Sequence, residues 1–118
     1  MTVSDDRLQD MARIIVDSAA REYNLRGARI NVPVRVEFDL ELESPKVAGR
    51  ALTNSTIDAQ GRRRITEQWI RVNMTLYRDN VREFLNKVLF HEVAHLDQAW
   101  KDLKSNSKSN DHGYVWQT

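Results

Sequence analysis

A glutamate sits in the middle of a stripe that should face a core. Val81, Phe84, Leu85, Val88, Leu89, Leu96, Ala99 and Leu103 follow the spacing of an amphipathic helix, and Glu92 falls inside their stripe. A carboxylate there is costly unless it is paired or faces a cleft. Phe90, Val93, Ala94 and Trp100 make the opposite side apolar too, which predicts a helix covered on more than one side. Solvation therefore does not explain Glu92. Asn80, with Glu83 three residues on, is the expected cap of this helix.

The neighbours of Glu92 suggest a reason. His91 and His95 are four apart, so on a helix they stand one above the other on one face. His91-Glu92-Val93-Ala94-His95 is the H-E-x-x-H pattern, in which two imidazoles share one zinc ion and the glutamate handles the proton of a bound water. The bland alternative is two histidines and a glutamate hydrogen-bonded within a helix. It is the weaker one: the chain has three histidines, and chance gives the pattern on the order of a few times in a thousand such chains.

Two histidines do not complete a catalytic zinc site, which takes a third protein ligand and leaves the fourth position to water. Gln98 and Lys101 stand where the compact metzincin spacing needs Gly and His. No glutamate follows Glu92. Asp97 points off the histidine face, and Asp102 lies roughly 10 Å beyond His95 along the axis. His112 or Asp111 remains, returned to the helix by the polar loop from Lys104 to Asn110. Asp111 can instead cap a short final helix or orient a histidine. Such a site would hydrolyse an amide: zinc lowers the pKa of a bound water to ~7, and Glu92 carries its proton to the leaving amine. Tyr114 is a candidate for oxyanion support, with packing as its other role.

At 118 residues the chain suits one domain, spanning 1–118. A net charge of +1 does not by itself argue for nucleic acid or membrane. The absence of cysteine excludes a disulfide framework, a cysteine zinc ribbon and a thiol nucleophile. The start, Met1 to Asp6, is acidic rather than signal-like, and no apolar stretch approaches spanning length. A cytoplasmic protein without a membrane partner is the expectation.

The remaining elements predict an α+β fold. Ser4 or Thr2 can cap a first helix whose stripe is Leu8, Met11, Ala12, Ile15, Ala19 and Tyr23, with Asn24 to Gly27 as its stop. Val34, Val36, Phe38, Leu40 and Leu42 alternate with charged residues, a half-buried strand over 34–43. A second strand is expected from Val47 to Thr53, where Gly49 suggests a bulge or a close approach of backbone. Asp58 to Gly61 is a turn, and a third strand runs from about Ile65 to Asn73. Short connections favour antiparallel pairing. Arg62, Arg63 and Arg64 form a basic cluster at the turn, a solvated tip or, more sharply, a phosphate contact. Trp69 is expected to pack rather than to stack on a base.

Taken together, Phe38, Ala48 to Ala51, Ile70 to Asn73, Val88 to His95 and His112-Gly113-Tyr114-Val115-Trp116 resemble the SprT-like metallopeptidase domain, as in the SprT and Spartan proteases. The resemblance runs from about Val34 to Trp116. It implies a compact gluzincin-like fold of helix, three antiparallel strands, zinc helix and short C-terminal helix. It also implies one zinc ion on His91, His95 and His112, with Glu92 catalytic. Spartan-type members degrade proteins crosslinked to DNA. That part rests on kinship, Arg62 to Arg64 and the loop lysines, since the chain carries neither a cysteine zinc ribbon nor a separate DNA-binding tail. The alternative is a non-catalytic, zinc-stabilised module that binds protein or DNA.

Overall fold

The computed structural model describes residues 4–40, 42, 46–105 and 114–115, with the side chains of all but 104, 105, 114 and 115. The order of elements is α1 (Asp5–Leu25), β1 (Arg35–Asp39), β2 (Val47–Ile57), β3 (Arg63–Asn73), α2 (Met74–Asp79), α3 (Val81–Glu83), a π-helical turn (Phe84–Val88), α4 (Leu89–Ser105) and β4 (Tyr114–Val115). The fold is α+β, as the patterning predicts. Among the described residues no helix is long and apolar enough to cross a membrane.

α1 begins where Ser4 accepts a hydrogen bond from the Arg7 amide at 3.3 Å, with Asp5 and Asp6 at the positive end of the helix. Leu8, Ala12, Val16, Ala19 and Ala20 are its buried face. The Tyr77 hydroxyl ties this helix to α2, donating to the Leu8 carbonyl at 2.6 Å in a fully buried site. Burial pushes the Tyr77 phenol up to about 12.

The sheet is mixed, in the order β1-β3-β2-β4, not purely antiparallel. β2 and β3 form the expected antiparallel hairpin, but β1 pairs in parallel with β3, from Arg35 opposite Trp69 to Asp39 opposite Asn73. Short connections mislead here because the link over 40–46 has seven residues, enough to cross the ~10 Å between strands two places apart. That crossing places Val36 beside Ile70 and Phe38 beside Val72, so β3 becomes the sheet's buried centre.

β1 is also shorter than its alternation suggests. Its ladder ends at Asp39, where β3 gives way to α2, and Leu40 is 66% exposed. The Leu40 carbonyl instead accepts from the Thr75 hydroxyl at 2.6 Å. The hairpin strands, by contrast, run to Ile57 and from Arg63, closer to the turn than expected.

The approach to the central helix differs as well. α2 is an additional helix, capped by Asn73, whose side chain accepts from the Leu76 amide at 3.1 Å and donates to the Val47 carbonyl at 3.0 Å. Asn80 does not cap through its side chain; it donates to the Leu76 carbonyl at 2.9 Å, and Glu83 meets Lys87 at 3.7 Å instead of forming a capping box. The segment Tyr114–Val115 is a strand rather than a short helix, paired with β2 through Val47 and Gly49. Backbone ladder bonds offered by the edge of β2 outcompete an isolated helical turn there.

Candidate metal and catalytic site

The π-helical turn leads directly into the histidines. Its closing bond runs from the Leu89 amide to the Phe84 carbonyl, five residues back. One extra residue in the turn lets Phe84, Val88 and Leu89 all reach full burial while α4 continues with Glu92, Val93 and Leu96 against the core. Phe90 lies 37% exposed, so the helix is less completely covered than its composition suggests.

His91 and His95 are half-buried, and their rings meet edge to face with centroids 4.6 Å apart. The two Nε2 atoms are 3.0 Å apart. The two ring nitrogens therefore meet within hydrogen-bond distance, as the i, i+4 spacing predicts. Glu92 is fully buried beside them. Its niche is made by β2: a Cβ built on Gly49 would lie 3.2 Å from Glu92 Cγ, 3.3 Å from Glu92 Oε2 and 3.3 Å from Val88 Cγ1. The close backbone approach expected at Gly49 is thus present, and its counterpart is the carboxylate itself.

The aspartates of α4 stay apart from the histidines. Asp97 is buried and holds the Lys101 ammonium at 2.8 Å, and this hydrogen bond raises the Lys101 pKa. Asp102 accepts from Gln98 at 2.9 Å. Trp100 bridges to the sheet, donating through Nε1 to Gln68 Oε1 at 3.2 Å. His112 and Asp111 lie outside the described residues, as does the Tyr114 side chain. Among the described residues no group of three or more His, Cys, Asp or Glu converges to hold a metal.

The two histidines nevertheless fit a zinc ion. Nitrogens bound at ~2.0–2.1 Å in tetrahedral geometry stand roughly 3.3 Å apart. The observed 3.0 Å needs only a small rotation of either ring to reach that value. A buried carboxylate next to them costs least when a cation or an exchanging proton compensates it.

The basic cluster is not part of this site. Arg62, Arg63 and Arg64 are exposed at the tip of the β2–β3 hairpin, where Asp58 Oδ1 accepts from the Gln60 and Arg62 amides at 2.9 Å each. Arg63 precedes Val72, the residue opposite Gly49, by nine positions. At ~3.3 Å per residue, the cluster is about 30 Å from Glu92. Trp69 is half-buried on the outer sheet face, with the Arg35 guanidinium 4.8 Å from its ring centre.

Asn73 is the positioning residue that periodicity misses. Its signal was an Asn at the junction of an apolar strand with a run carrying Leu76 and Tyr77. A family model, that of the SprT-like family, matches residues 17–118. Neither the comparison with curated proteins nor that with solved structures finds a match.

Proposed function

The chain belongs to the SprT-like family, and from that premise we propose that it is a zinc-dependent endopeptidase. The family is associated with metallopeptidase-type domains and typically with zinc. The observation that carries the proposal is the fully buried Glu92 next to two imidazole Nε2 atoms 3.0 Å apart. Two ring nitrogens that meet at one point beside a buried carboxylate are the groups that metal-assisted hydrolysis uses.

His91 and His95 would hold the metal through Nε2, and His112 would be the third ligand. β4 supports the last assignment. Its Tyr114 pairs with Gly49, the residue against Glu92, and His112 precedes Tyr114 by two positions. When bound, zinc supplies a Lewis acid and an acidified water at neutral pH. Glu92 accepts the proton of the attacking water on its carboxylate and returns it to the amine nitrogen that leaves as the peptide bond breaks. Burial of Glu92 keeps bulk water from competing for that proton.

Proteins bound or crosslinked to DNA are the proposed substrates. Kinship and the exposed Arg62 to Arg64 support this. The arginines would hold a phosphate backbone about 30 Å from the scissile bond.

The experiment is Glu92→Gln. This variant keeps the shape and the histidines, so it should retain zinc while losing chelator-sensitive cleavage of casein by about a hundredfold or more. Cleavage at the wild-type rate by a zinc-loaded Glu92→Gln protein would refute the proposal.

A further inference from the structure

Gly49 has no conformational need to be glycine. Among the described residues the glycines at positive φ are Gly27 and Gly61, so an L side chain suits the backbone of Gly49. Glycine inside a strand is destabilising relative to alanine, so its presence calls for a reason of space. That space is taken by Glu92 and Val88, both within 3.3 Å of where a Cβ would stand.

The strand cannot retreat to make room. Gly49 is paired with Val72 of β3 on one side and with Tyr114 of β4 on the other. Asn73 anchors β2 two residues away through the Val47 carbonyl. Nor does Val88 yield easily: it is fully buried and β-branched, so its χ1 is fixed by the surrounding packing. Of the groups around this point, the Glu92 side chain has the most torsional freedom.

We infer that Gly49 is a positioning residue for Glu92: the missing Cβ on a pinned strand sets where the carboxylate lies relative to the histidines. The inference rests on the reading of Glu92 as the proton carrier. In that role Gly49 touches neither substrate nor metal, and the three atoms nearest its Cβ position include none from His91 or His95. A Cβ at 49 moves the carboxylate by a few tenths of an ångström and leaves the histidines in place.

Two measurements on Gly49→Ala test this. The zinc-loaded variant should bind zinc as wild type does and lose roughly tenfold in kcat with KM within about twofold, because misplacement of a proton carrier acts on the chemical step. The second is a melting cycle on the metal-free proteins. Gly49→Ala should lower Tm clearly more when residue 92 is Glu than in a Glu92→Ala background, where only the Val88 contact remains. An unchanged kcat, or an equal loss of Tm in both backgrounds, overturns the inference. If wild type cleaves nothing, the peptidase proposal fails and the melting cycle alone decides Gly49. If Gly49→Ala does not fold, Gly49→Ala/Glu92→Ala should still fold. Its failure to do so overturns the inference too.

Discussion

Asn73 holds β2 and α2 together with one fully buried side chain: its Nδ2 donates to the Val47 carbonyl and its Oδ1 caps the Leu76 amide. Through Val47 this residue fixes the start of the strand that carries Gly49, and so the wall against which Glu92 lies. Asn73→Ala removes a cap and leaves the half-buried Val47 carbonyl without this donor. We expect a loss of roughly 2–4 kcal/mol, the sum of the two effects, measured by urea unfolding. Asn73→Ser keeps a capping oxygen without burying a charge but does not reach the Val47 carbonyl, so it should lose less; a loss equal to that of Asn73→Ala would show that the cap is of no consequence.

Zinc should stabilise the fold through the two convergent imidazoles. At a hundredfold excess over Kd, binding adds about 2.7 kcal/mol, which raises Tm by roughly 10 °C or more in a domain of this size. His95→Ala should abolish the rise. A zinc-induced shift that survives in His91→Ala/His95→Ala would place the metal elsewhere.

Tyr77 makes stability depend on alkaline pH. Its phenol is pushed up to about 12 by burial, against about 10 in an unfolded chain. The folded state thus favours the neutral, proton-bearing form. This contribution is whole below pH ~10 and is lost as pH climbs from ~10 through ~12. Chemical denaturation at pH 9 and pH 11 should show a steeper decline for wild type than for Tyr77→Phe. The variant should start lower, by about 1–3 kcal/mol, because the Leu8 carbonyl loses its donor.

The ion pair between Asp5 and Arg78 acts at the opposite end of the scale. The hydrogen bond from Arg78 lowers the Asp5 pKa, so the pair stabilises above the ordinary carboxylate range and is lost as pH falls through the lowered value. Both groups are solvent-facing, and the effect should fade in high salt. Arg78→Ala should flatten the acid limb of the stability profile at low salt and change little at 1 M.

Replacing Arg62, Arg63 and Arg64 by alanine should leave peptide hydrolysis and stability nearly unchanged, since all three are exposed and about 30 Å from Glu92. Binding to a single-stranded oligonucleotide should weaken, and its salt slope should fall by up to ~0.7 for each phosphate that is no longer neutralised. An unaltered slope would remove the hairpin tip from any role in holding nucleic acid.

Local patterns sufficed for much of the molecule. The periodicity of α1, the hairpin turn at Asp58 to Gly61 and the i, i+4 pair His91/His95 are set within a few residues, so neighbours along the chain determine them. The sequence alone also marked Glu92 as anomalous and Gly49 as a point of close approach. It could not say that each was the reason for the other, because they lie 43 residues apart and meet only when α4 packs on β2. Nor could local spacing reveal that β1 crosses to the far side of β3. The link over 40–46 permits either neighbour, and the choice falls to burial of Ile70 and Val72 between two strands. The same holds for Asn73, whose carbonyl partner is 26 residues upstream. What the chain's own order determined was the set of chemical groups on one helical face. What tertiary structure decided was the wall behind them, because close packing between distant segments sets distances that no spacing along a helix can encode.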